Sequence, residues 1–233
     1  MVFGYLSGKV SARDFIAAAR QNPDIPMWFQ SIIPEEATYL DQPYIPYHHD
    51  EQGKAVYQRA ASTHPFWKKI QYGVSLNVLS DRIDMSEYFR LTKDFDTAGG
   101  RLNAYEFLYS LALIRCPAIQ KTDRYSKEFG FFLDVCGDCC GGQEVNLYLE
   151  RLVLGVYYGS GGIGEKRRNA KQKVKEFLHI TGRNIPRWVQ SPEWPMGANS
   201  PMEYLSRKRE GDLVQFIFRD VDTGEERIVE QFY

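Results

Sequence analysis

Hydrophobic positions recur with helical spacing along most of the chain and change to simple alternation only near its end. The clearest stripe lies at 144–157, where Val145, Tyr148, Leu149, Leu152, Val153 and Val156 fall at i, i+3, i+4, i+7, i+8 and i+11 and predict an amphipathic helix. Ser11 and Asp14 have capping-box spacing, with Val10 and Phe15 placed as a hydrophobic staple, so a helix is predicted from Ser11 to about Gln21. Asn22-Pro23 stops it. Two more helices are predicted at 51–61 and 65–79, the second with Phe66, Ile70, Val74 and Leu79 toward one side. Gly99-Gly100 reads as a polar turn, after which Asn103 caps a helix that is apolar nearly all round at 105–114 and ends before Pro117. At 165–180, Ala170, Val174, Phe177 and Leu178 face inward, His179 lies in the last turn, and Gly182 supplies the break.

Beyond Pro186 the period falls to two. Val214, Phe216 and Phe218 share one side of a strand, opposite Leu213, Gln215, Ile217 and Arg219. Asp222-Thr223-Gly224 turns the chain into a strand carrying Ile228, Val229 and Phe232, and 202–209 supplies a third, joined through Glu210-Gly211-Asp212. The pattern therefore predicts an α+β protein: a mainly helical body at 1–185, then a proline-rich linker and a three-stranded antiparallel β-meander at 186–233 packed on that body. Trp188 and Trp194 are expected to dock the linker onto the helices.

One segment departs from this order. Residues 21–53 contain no Lys or Arg, but six acids, five prolines and the aromatics Trp28, Phe29, Tyr39, Tyr44 and Tyr47. Proline fixes φ and removes donors, so extended loop is predicted here, with one short helix near 27–33. Clustered carboxylates draw in a basic partner and aromatics supply contact area, which makes Glu35, Glu36, Tyr39, Asp41, Tyr44, Tyr47, Asp50 and Glu51 the candidate partner-binding residues. The competing reading has the tyrosines packed on the helical core and the acids merely solvated.

Composition narrows the classes. With 29 Lys and Arg against 30 Asp and Glu, overall charge does not favour coating nucleic acid. A 43% hydrophobic chain of 233 residues supports one or two buried cores, and 14% aromatic content excludes disorder. The first residues, MVFGYLSGKVSARDF, lack the basic and then apolar regions of a secretory signal, and the apolar runs at 108–114 and 152–158 fall short of the roughly 20 residues that span a bilayer. A soluble cytoplasmic protein is expected, without a membrane partner.

Local chemical signatures are weak. The run from Cys136 to Cys140 has CxxC spacing, but only Cys116 or a distant histidine could complete a zinc site, adjacent Cys139 and Cys140 rarely serve one ion, and reduced structural cysteines are the preferred reading. The run Gly159-Ser160-Gly161-Gly162-Ile163-Gly164 suggests a phosphate loop, yet Glu165 separates it from Lys166 and no hydroxyl follows that lysine. Lys166, Arg167, Arg168, Lys171, Lys173 and Lys175 could meet phosphates, or could simply be solvated. His48, His49 and Asp50 could hold a metal or form a base with its orienting carboxylate, but neither an HExxH nor a GxSxG motif accompanies them. No catalytic residue, metal ligand or cofactor is assigned from the sequence.

Both ends of the chain carry a resemblance. Gly4-Tyr5-Leu6-Ser7-Gly8-Lys9 with Asp14-Phe15, the run Trp28-Phe29-Gln30-Ser31-Ile32-Ile33-Pro34, and above all Pro186-Arg187-Trp188-Val189-Gln190-Ser191-Pro192-Glu193-Trp194-Pro195-Met196-Gly197 with the closing Glu230-Gln231-Phe232-Tyr233 resemble immunity proteins of bacterial polymorphic toxin systems. The resemblance implies an intracellular, non-catalytic protein that binds a cognate toxin domain and neutralises it. Many such toxins are nucleases, and an acidic segment would stand where their nucleic acid lies. Two readings from other classes stay open: a small metal-dependent hydrolase using His48, His49 and the cysteines, and a nucleic-acid adaptor using the basic helix at 165–180.

Overall fold

The computed structural model describes residues 1–38, 45–49, 55–58, 64–70, 82–137 and 143–233, with the backbone alone at 45–49, 55–58 and 143–144. The fold is α+β: helices predominate and an antiparallel three-stranded meander closes the chain. Two compact units divide it, Met1–Ser126 and Lys127–Tyr233. The division lies well before the 185/186 boundary expected from the change of period. The meander shares one hydrophobic cluster with the helical residues from Phe131 to Leu178 and cannot be parted from them.

The first unit contains α1 (Val2–Leu6), α2 (Ala12–Gln21), α3 (Asp24–Gln30), α4 (Glu35–Thr38), a hairpin of β1 (Ile45–His49) and β2 (Ala55–Gln58), a 3-10 turn at Pro65–Lys69, α5 (Met85–Leu91), a second 3-10 turn at Asp94–Asp96, and α6 (Ala98–Arg115). The Ser11 hydroxyl caps α2 as predicted, accepting from the Asp14 amide at 3.1 Å. The core is aromatic. Tyr5 stacks on Phe15 at 4.0 Å, and Phe95, Tyr105 and Tyr125 surround it. The Tyr105 hydroxyl donates to Leu6 O at 3.0 Å and accepts from Thr122 N at 2.8 Å, tying α1 and a loop to α6. Burial pushes its phenol up to about 12, the Thr122 amide working against that rise.

Three local expectations change here. The stretch expected as one short helix forms two, α3 and α4. Pro26 lies in the first turn of α3, where its missing N–H removes no helical bond. Within the helix expected at 51–61, residues 55–58 pair antiparallel with β1, since cross-strand pairing overrides local propensity; the rest of that span lies outside the described residues, as does 71–79 of the helix expected at 65–79. Gly99 and Gly100 form no turn. They belong to the first turn of α6, which Thr97 caps by accepting from the Gly100 amide at 3.0 Å.

Asp94, just before α6, is pushed up to about 6 by burial, the Thr92 hydroxyl pulling the other way and Asp96 adding to the rise. A carboxyl held above its unfolded value favours folding most where it is protonated in the folded chain. Its contribution is full below about pH 4 and disappears as pH rises through about 6. Urea midpoints followed across this window should fall with rising pH in the native chain, and the slope should flatten in Asp94→Asn.

Helix α7 (Arg124–Cys136) crosses the division, and the second unit continues with α8 (Gln143–Tyr157), α9 (Ile163–Phe177), β3 (Glu203–Glu210), β4 (Leu213–Arg219) and β5 (Glu226–Phe232). Val145, Leu149 and Val153 are fully buried, while Tyr148 lies on the flank of the stripe and is half exposed. The sheet has the order β3-β4-β5, and Val214, Phe216 and Phe218 form its buried face. Trp188 lies 4.7 Å from Phe216 and 5.9 Å from Phe218, and Trp194 lies 5.5 Å from Phe218. The ring–ring contacts of both tryptophans are with the sheet, and Trp194 shares one hydrophobic cluster with helical residues as well, Trp188 packing against that cluster.

Two buried polar side chains hold the segment before the sheet. Gln231 Oε1 accepts from the amides of Val189 at 2.9 Å and Gln190 at 3.0 Å, and its Nε2 donates to Ser191 O at 2.7 Å. The Asp220 carboxylate accepts from the amides of Ala198, Asp222 and Thr223, which hold its pKa below the ordinary value. Helix α9 ends three residues earlier than expected, and the chain reverses at His179, not at Gly182. His179 has φ 52°, and the bonds Ile180 N to Lys175 O and His179 N to Glu176 O form the Schellman pair around it. Among the described residues no helix is long and apolar enough to cross a membrane.

Candidate functional site

The described part of the acidic segment starts from the two-faced character of α3. Ile25 and Phe29 turn into the core, which leaves Asp24, Met27, Trp28 and Ser31 along the opposite side at i, i+3, i+4 and i+7. Met27 is 61% exposed, and Phe3, 53% exposed, meets the half-buried Trp28 edge to face at 5.8 Å. Helix α4 is anchored from behind. Trp67 Nε1 donates to Ala37 O at 2.9 Å, the Thr38 hydroxyl donates to Glu35 O, and the Ile83 amide donates to Thr38 O at 2.8 Å. With Ala37 and Thr38 buried, Glu35 and Glu36 are the residues of that turn left facing water.

Two cations of this unit are turned to other work. Arg20, the last one before the Lys/Arg-free stretch, donates to Phe89 O at 2.9 Å and Thr92 O at 3.0 Å. Arg115 reaches the Ser31 hydroxyl at 2.6 Å. Among the described residues no Lys or Arg forms an ion pair with Asp24, Glu35 or Glu36. What results is an apolar patch of Phe3, Met27 and Trp28 on α1 and α3, with three unneutralised carboxylates on α3 and α4. That combination suits contact with a basic macromolecule.

Of the candidate partner-binding residues, Glu35 and Glu36 are exposed on α4. Tyr47 belongs to β1, described by its backbone, and Tyr39, Asp41, Tyr44, Asp50 and Glu51 lie outside the described residues. Phe3 and Met27 were not singled out from the sequence. Met27 could have been, from its spacing of three to Asp24 opposite the buried Ile25 and Phe29.

The rival chemistries fare as follows. His48 and His49 lie on β1. His64 Nδ1 accepts from Phe66 N at 3.2 Å as the cap of a 3-10 turn, and His179 lies 3.3 Å from the Ser200 hydroxyl. Cys116 is a half-buried free thiol and Cys136 is buried, while Cys139 and Cys140 lie outside the described residues. Among the described residues no three His, Cys, Asp or Glu side chains gather as metal ligands would. At the glycine-rich loop, a Cβ on Gly161 would stand 2.9 Å from Glu165 Oε2, so a carboxylate covers the position an anion would need. Lys166 is turned back, donating to Tyr157 O at 2.8 Å. These contacts agree with a linker and disagree with a phosphate loop. Comparison with family models, curated proteins and solved structures gives no match.

Proposed function

We propose that this chain is a non-catalytic immunity-type protein that binds a cognate bacterial toxin domain and neutralises it, the toxin being of the basic, nucleic-acid-cleaving kind. The observation that carries the reading is the exposure of Glu35 and Glu36, within a 33-residue stretch lacking Lys and Arg. Asp24, Met27, Phe3 and Trp28 add a mixed acidic and apolar surface nearby in the chain. The resemblance of both ends to immunity proteins supplies the partner class. Carboxylates held on short, anchored helices would meet the cationic substrate groove of a nuclease and occupy the place of its phosphates.

The test is protection of bacteria that express a toxin domain whose gene is found beside this one. Reversing Glu35, Glu36, Asp41, Asp50 and Glu51 together to lysine should abolish protection and loosen the complex by at least a hundredfold, as loss of several paired charges at one interface does. Protection unchanged by the five reversals would remove this surface from the mechanism.

A further inference from the structure

We propose that the cleft of the Lys127–Tyr233 unit, between the last turn of α9 and residues 182–192, binds a phosphate-bearing small molecule of nucleotide size. The cleft has a volume of about 760 Å³, within the range of roughly 300–1,000 Å³ that small-molecule sites occupy. Lys175, Arg183 and Arg187 line it together with Trp188, and no Asp or Glu does so among the described residues. Three cations facing one concavity repel each other and raise the local potential, which an anion relieves. The negative end of the α9 dipole accounts for Lys175 alone. Arg183 and Arg187 lie beyond the last turn, where that field has faded.

The surrounding charge has the same sense. Arg168, Lys171 and Lys175 follow one another at i, i+3 and i+7, so one flank of α9 leads a row of cations to the cleft, while Glu165 and Glu176 fall on the opposite flank. Residues 166–209 hold eleven Lys or Arg against three Asp or Glu, in a chain whose formal net charge is −1. Arg167 is excluded from the row, being paired with Asp134 at 2.6 Å.

The wall is built in advance of any ligand. Asn184, between the two arginine positions, is pinned to β3 by donating to Tyr204 O at 2.9 Å, and the buried Gln231 holds Val189, Gln190 and Ser191. Trp188 gives the cleft a planar apolar surface. Two guanidinium groups and an ammonium beside an indole fit a ligand that combines phosphate oxygens with a planar ring.

Calorimetric titration of the full chain with ATP, with inorganic phosphate, and with a single-stranded oligonucleotide at one fixed ionic strength tests this. ATP should bind saturably and more tightly than phosphate. Arg183→Gln with Arg187→Gln should weaken it at least tenfold, whereas Lys208→Gln, an exposed cation on β3 outside the cleft, should leave it unchanged. Absence of ATP and phosphate binding overturns the proposal. Equal weakening by Lys208→Gln does so too, since general charge would then explain the binding. So does binding confined to the oligonucleotide and lost equally in Arg168→Gln with Lys171→Gln, which would make α9 a nucleic-acid track.

Discussion

Gly100→Ala is expected to destabilise the Met1–Ser126 unit severely, by about 3 kcal/mol or more, and to prevent its accumulation as folded protein. A methyl group at this position would stand 2.1 Å from Asp94 O and within 3 Å of two further backbone atoms of that residue. No side-chain rotation relieves a clash with backbone, so either α6 must shift away from the 3-10 turn at Asp94–Asp96 or the first turn of α6 must unwind. Phe95 and Ala98 are buried at this junction, so movement of either element opens the core. Gly130→Ala in α7 and Gly155→Ala in α8 are the controls. Both positions are exposed and would meet nothing within 4 Å, and each should raise stability by up to about 1 kcal/mol, the difference in helix propensity. Urea denaturation of the three variants, followed by circular dichroism, gives the ranking directly. A Gly100→Ala protein as stable as the native chain would mean that α6 does not lie so close to that turn.

The second large effect is expected at Trp194. This side chain is 2% exposed, packs edge-on against Phe218, and donates from Nε1 to Met202 O at 2.8 Å. Trp194→Ala should cost about 3–5 kcal/mol, since the cavity lies where the proline-rich segment meets the sheet and has little freedom to collapse. Trp194→Phe should be milder, keeping most of the apolar contact and forfeiting the bond to Met202. Chemical denaturation of the purified variants should give the order native, phenylalanine, alanine. The result bears on the motif that carries the resemblance. Trp188 and Trp194 pack on the sheet, and a Cβ on Gly197 would come within 2.5 Å of Asp220 Oδ2, so much of the run from Pro186 to Gly197 is framework.

Features readable in the sequence were those set by local periodicity. The α8 stripe, the Ser11 cap and the alternation of β4 each follow from a short window, and each is found close to its expected place. Features missed had other causes. Helix α1 has five residues, too few to show a period, and the alanine-poor α5 depends on the Asp84 carboxylate accepting from Ser86 and Glu87 amides. Gly100 was misread because glycine permits two different things, a turn and a close approach, and only the second applies here. The end of α9 was misplaced because histidine is a rarer occupant than glycine of the left-handed position that His179 fills. For the candidate site, the charge run was plain from composition, while Phe3 and Met27 required the fold, since exposure of an apolar side chain is a property of its neighbours.

The two hydrophobic clusters share no residue: one draws on Tyr5 through Tyr125, the other on Phe131 through Phe218. Two separate clusters are the condition under which melting is not governed by one equilibrium constant. Where each half melts by itself, a lesion in one leaves the other to report a cooperative transition. A single melting temperature taken from one spectroscopic probe would describe whichever half contains the chromophore, and the binding surface proposed on α3 and α4 could be lost while the closing sheet still looks native.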